Sequence, residues 1–151
     1  MTKEIFLKPG KEHSVLRGHP WIFSGAIADA KGLIPGDVVN VYEAKGLFLA
    51  TGHWSDGSIA VRILDHAPIE NRNEFWLTRL KNCLELRTKL GFGIDTPTTA
   101  FRLIHGEGDG LPGLICDIYG TCAVLQAHSK GMYLELPQIA AALDQVFDFK
   151  L

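Results

Sequence analysis

The spacing of apolar and polar residues changes once along this chain, near residue 67. Before that point the apolar runs are short and many alternate with polar neighbours. Ile5–Leu7, His13–Leu16, Trp21–Phe23, Val38–Tyr42, Leu47–Gly52 and Ser58–Ile63 each read as a strand. Breakers separate them: Pro9-Gly10, Lys31-Gly32, Pro35-Gly36-Asp37, Lys45-Gly46 and Asp56-Gly57. Lys45-Gly46 lies between two strand-like runs and predicts a tight hairpin, because glycine supplies the positive φ that such turns need. Many short strands with glycines between them predict a small β-barrel over residues 1–67.

After His66-Ala67-Pro68 the period becomes helical. Trp76, Leu80, Cys83, Leu84 and Leu90 fall on one face, so the spacing predicts a helix from about Ile69 or Asn73 to Leu90, stopped by Gly91 and Gly93. Arg72, Arg79, Lys81, Arg87 and Lys89 occupy its polar positions and read as a solvated face. Three strands follow, Thr98–His105, Leu114–Ile118 and Cys122–His128, with a tight connection at Tyr119-Gly120. A last amphipathic helix spans Met132 to Val146, with Pro137 in its first turns. The fold class expected is therefore mixed: a small β-barrel, then a small α+β layered domain over 68–151. The chain closes on Phe149-Lys150-Leu151 without a capping glycine or polar tail, and the expectation is a domain truncated at its C-terminus.

Composition narrows the class. The 151 residues are 46% hydrophobic and 21% charged, the balance of a folded domain, and the net charge of -2 gives no general attraction to nucleic acid. Cys83, Cys116 and Cys122 form no C-x-x-C and read as small core residues in a reducing compartment. No apolar run approaches about 18 residues and no leader pattern opens the chain, so a cytoplasmic location and no membrane contact are expected.

The chemistry that stands out is Phe101–Gly120, in which Gly106, Gly108 and Gly110 follow an apolar run as G-x-G-x-G. A phosphate cradle needs the next segment to be a helix presenting free N–H groups. Here Leu111-Pro112-Gly113 and a strand follow, and Glu107 and Asp109 put negative charge where an anion would approach. Gly106, Gly108, Gly110, Pro112 and Gly113 therefore read as a structural turn, with no cofactor-binding residues in the chain. The six histidines show no close ligand spacing, no cysteine has an activating context, and no catalytic or metal-ligating set is expected.

The N-terminal segment carries Lys3, Lys8, Lys11, Arg17 and His19 beside the aromatic pair Trp21 and Phe23. Such a mixture would suit phosphate contact and base stacking. The equal parity of Trp21 and Phe23 instead favours a shared core face, leaving Lys8, Arg17, His19, Ser24 and Arg62 as the candidate RNA contacts.

Arg17–Ile27, Gly36-Asp37-Val38, Gly46–Gly52 and Ser58–Leu64 resemble the N-terminal PUA domain of bacterial 23S rRNA cytosine-C5 methyltransferases, and Phe101–Gly120 is similar to the signature of their central α/β domain. The resemblance implies a PUA-like pseudobarrel that binds ribosomal RNA and a central domain that links it to a C-terminal catalytic domain. S-adenosylmethionine and the catalytic cysteine would belong to that third domain, so this chain alone is expected to dock RNA and to transfer no methyl group. Two other readings remain at this level: an autonomous RNA-binding adaptor, and a purely structural or oligomerisation module.

Overall fold

The architecture follows from two apolar clusters that share one strand. In the computed structural model, which describes residues 2–93 and 96–147, one cluster gathers Ile5, Leu7, Val15, Ile22, Val39, Val41, Ala50 and Val61, among others. The second gathers Leu64, Trp76, Leu80, Leu103, Leu114, Ile118, Met132 and Ile139. The ending Phe149–Leu151, from which truncation was expected, lies outside the described residues.

The first unit is a five-stranded sheet built from β1 (Lys3–Phe6), β2 (Trp21–Phe23), β3 (Val38–Tyr42), β4 (Phe48–Trp54) and β5 (Ile59–Asp65), in the order β1-β3-β4-β5-β2. β1 lies parallel to β3, and the other pairs are antiparallel. A single bridge, Leu7 to Ile27, joins the chain after β1 to the chain after β2 and curls the open sheet into a pseudobarrel. Residues 13–16 depart from the sequence reading. They form a one-turn helix α1 (His13–Leu16), with only Val15 buried. The run is too short for its apolar pair Val15-Leu16 to distinguish a turn of helix from a strand.

The second unit places helices α2 (Arg72–Lys89) and α3 (Lys130–Phe147) against an antiparallel meander of β6 (Ala100–His105), β7 (Leu114–Tyr119) and β8 (Cys122–Ala127). α2 begins where Asn71 accepts hydrogen bonds from the N–H groups of Asn73 and Glu74, a side-chain N-cap. Pro137 is interior to α3 and not in its opening turn, since that helix starts earlier, at Lys130. Burial alternates along β7 (Leu114, Cys116 and Ile118 inward), and the outer face of the meander carries a bidentate Arg102–Asp117 pair at 2.8 and 3.0 Å.

The cationic face of α2 is not the solvated face that its spacing suggested. Arg79 donates to Leu64 O and Asp65 Oδ2, Arg87 clasps Asp109 through both terminal nitrogens at 3.0 and 2.6 Å, and Arg72 donates to Glu135 of α3. Of the five cations, Lys81 and Lys89 are the ones left exposed. Helical periodicity marks which residues leave the apolar core, but not whether an acid from elsewhere meets them.

Between the two units, Glu135 is buried at 4% exposure and also accepts from Trp76 Nε1 at 3.0 Å. His53 of β4 lies beside it, 2% exposed, with Nε2 at 3.5 Å from Oε1, beyond a good hydrogen bond. Gly131 of α3 lies directly on the His53 ring, where a Cβ would collide with the imidazole.

Candidate nucleic-acid interface

The five residues singled out as RNA contacts gather around β2. Lys8 donates to the carbonyl of Gly25 at 3.2 Å, beside exposed Ser24, whose N–H is held by Ser58 O. Arg17 is exposed at the C-terminal end of α1, and a short turn leads from it to His19 and β2. Arg62 sits on β5 directly across from Trp21 in the antiparallel ladder. Among the described residues, no carboxylate forms an ion pair with Lys8, Arg17 or Arg62.

One expectation about β2 is reversed. Trp21 and Phe23 do share a face, but it is the outer one. Ile22 points into the barrel at 1% exposure, while Phe23 is 50% exposed and Trp21 half-buried. A three-residue strand has two possible phases, and burial of the β-branched aliphatic residue fixed this one. His19 has the same parity as the two aromatics and would have indicated the wet side.

The three rings form a surface cluster. Ring centroids of His19 lie 6.0 Å from Trp21 and 5.9 Å from Phe23, and Trp21 and Phe23 meet edge to face at 6.4 Å. His19 Nδ1 faces the backbone of Trp21, 3.1 Å from its amide nitrogen and 3.0 Å from its carbonyl oxygen, which anchors the ring beside β2. Aromatic faces beside unpaired cations are the elements of single-stranded RNA recognition, stacking surfaces next to phosphate partners.

Sequence reasoning assigned no ligand contact to the neighbours of this cluster. Residues Gly106–Asp109 form a 3-10 turn, Gly110 follows in the left-handed region at φ 70°, and Pro112 is buried. Exposed Gly108 lies in this turn, and the carbonyl of Gly113 accepts the N–H of His128 at 2.8 Å. Both acids of the glycine cluster have partners. Asp109 takes Arg87 and the N–H of His105, and Glu107 Oε1 accepts Trp21 Nε1 at 3.0 Å. The Trp21–Glu107 bond ties the aromatic surface to the glycine turn. Beside it opens a cleft of about 280 Å³ lined by Arg62, Gly106, Glu107, Gly113, Leu114, Ile115 and His128. A larger cleft of about 540 Å³ runs along the start of α2, but Asp65, Glu70 and Glu74 in its wall oppose phosphate.

The cysteines and histidines complete the survey. Burial pushes the Cys83 thiol up to about 11 and the Cys116 thiol up to about 12, with nearby carboxylates adding to both, so each stays protonated at neutral pH. Cys122 is exposed, against the expectation of a core position, because its strand turns that parity outward. Among the described residues, no group of three or more His, Cys, Asp or Glu is arranged to hold a metal ion. Among the same residues, no helix is long and apolar enough to cross a membrane.

Comparison with known proteins supplies the wider setting. Residues 5–66 match the model of a family described as PUA-like domain. The chain is 36% identical over 150 residues to the ribosomal RNA large subunit methyltransferase I of Erwinia tasmaniensis, an alignment covering 97% of this chain and 37% of that protein. The methyltransferase of the same name from Alteromonas mediterranea is 40% identical over 135 residues, covering 87% and 33%. Among solved structures, a putative SAM-dependent methyltransferase from Streptococcus mutans superposes with a TM-score of 0.82 at 19% identity, over 98% of this chain and 39% of the other. A putative methyltransferase complexed with SAH gives 0.80 at 20% identity, over 98% and 38%. The fold is thus shared across the whole chain, which spans little more than a third of the length of these relatives.

Proposed function

We propose that this chain, whose residues 5–66 form a PUA-like domain, docks ribosomal RNA for an S-adenosylmethionine-dependent methyltransferase of the large-subunit type. In this reading the division falls near residue 67, the pseudobarrel carries the RNA contacts, and residues 68–151 link it to catalytic machinery. The modified base is a cytosine, methylated at C5, and the setting is cytoplasmic. The relatives' printed names support the ribosomal RNA methyltransferase part of this reading, and the shared fold supports its architecture.

The observation that carries the reading is the outward-facing cluster of His19, Trp21 and Phe23 beside Arg62. Stacking on Trp21 and Phe23 takes up unpaired bases, Lys8 and Arg17 neutralise the phosphates between them, and Arg62 makes a further RNA contact across from Trp21. Ser24 and the imidazole of His19 add hydrogen-bonding groups at the two ends of β2. With a net charge of -2, binding rests on this local footprint and not on a general field.

The test is binding of labelled single-stranded rRNA fragments to residues 1–151 across salt concentrations. Affinity falls as salt rises, and Arg17→Ala or Lys8→Ala reduces the steepness of that fall by about one phosphate contact each. Trp21→Ala and Phe23→Ala weaken binding by about 1–3 kcal/mol with the salt slope unchanged. Affinity indifferent to salt and to all four substitutions would exclude β2 as the docking surface and favour a structural module.

A further inference from the structure

The cleft beside the Trp21–Glu107 hydrogen bond has a composition that a phosphate-binding groove does not explain. It holds a guanidinium, Arg62, and a carboxylate, Glu107, yet the two form no ion pair within 4.0 Å among the described residues. Both flank Trp21: Arg62 across the ladder, and Glu107 through its hydrogen bond to the indole. That bond engages Oε1 and fixes the carboxylate, leaving Oε2 with no hydrogen bond among the described residues. Ile115 supplies an apolar wall, and the exposed imidazole of His128 completes the rim.

We propose that this cleft reads a single unstacked guanine in the RNA that β2 docks, with Glu107 accepting from its N1–H and N2–H2 edge and Arg62 donating to its O6 and N7 edge. The proposal rests on the RNA-docking reading above and adds a base preference to it. A carboxylate in an RNA site repels phosphate, so its partner must be a donor. Among the bases, guanine offers two adjacent donors on one edge and two adjacent acceptors on another. Uracil has no exocyclic amino group and leaves the carboxylate underused. The volume, about 280 Å³, is at the lower limit of ligand pockets, near 300 Å³, which suits one base and not a stack. Ile115 meets the base plane, and Trp21 and Phe23 hold its neighbours.

The experiment compares the 151-residue chain binding a uridine hexamer and the same hexamer with one central guanosine, by anisotropy at fixed salt. The guanosine strand binds about 10-fold tighter, and replacing that guanosine with inosine, which lacks the N2 amino group, removes much of the gain. Glu107→Gln abolishes the preference, and its circular dichroism stays that of the parent because Glu107 is exposed. Equal affinity for both strands overturns the base reading and leaves the docking surface standing. A preference that survives Glu107→Gln locates the selectivity elsewhere and also overturns it. No binding to either strand at any salt removes the docking reading itself.

Discussion

At the scale of single residues, His53 shows how burial sets a charge state. Its desolvated ring, with Arg72 and then Arg62 adding repulsion, is held down to about 4 from its ordinary 6.5. Glu135 at 3.5 Å would favour the imidazolium, but Arg72 already neutralises that carboxylate, so the desolvation penalty prevails. With the folded pKa lowered, the unfolded chain binds more protons between about pH 4 and 6.5. His53 therefore contributes stability that is fully present above about 6.5 and is lost as pH falls through about 4. The contribution is at most about 3 kcal/mol. Urea midpoints at pH 7.5 and 5.0 should differ more for the parent than for His53→Gln, in which this titration is absent. The same difference in both proteins would show that folding does not lower the pKa of His53.

At the scale of elements, the clasp between α2 and the glycine turn decides what the G-x-G-x-G segment is for. Arg87 and Asp109 are 13% and 6% exposed, so removing one partner strands a buried charge. Arg87→Met is expected to cost about 3–5 kcal/mol in chemical denaturation. Adding Asp109→Asn should recover much of that loss, since the amide oxygen still accepts the His105 N–H while the unpaired charge is gone. A double variant no more stable than Arg87→Met would mean that the pair's contribution is packing and not charge. Much of this level was legible in the sequence. The change of period near residue 67 marks where strands give way to α2, and the strand expected after Gly113 is β7. Two features were hidden for definable reasons. α1 and β2 are too short for periodicity to give type or phase. The partners of Arg72, Arg79 and Arg87 lie 14 to 63 positions away along the chain, where residue spacing carries no information.

At the scale of the whole molecule, the two units are joined through polar contacts, Arg79 to Leu64 O and Asp65 and Trp21 to Glu107, as well as apolar ones. Arg72 and Trp76 of α2, Glu135 of α3 and His53 of β4 meet at one point, and Leu64 of β5 belongs to the second core. Gly131 lets α3 approach β4 closely enough for this contact. The parent chain is therefore expected to unfold in one calorimetric transition. Gly131→Ala, which drives a methyl group into the imidazole, should cost about 1–3 kcal/mol and resolve two transitions as the units uncouple. A single unbroken transition in that variant would show that the apolar contacts alone couple the units. Such coupling has a functional side, because the cleft between Arg62 and Glu107 keeps its shape only while the units hold their relative position.

The hydrogen bond from Trp21 to Glu107 has an optical consequence. The chain has three tryptophans, and Trp54 and Trp76 are 9% and 1% exposed, so soluble quenchers reach chiefly the half-buried indole of Trp21. That indole is polarised by a carboxylate at 3.0 Å and lies at the rim of the cleft, so the protein carries a native fluorophore at its candidate binding site. Its emission reports on that site without an added label.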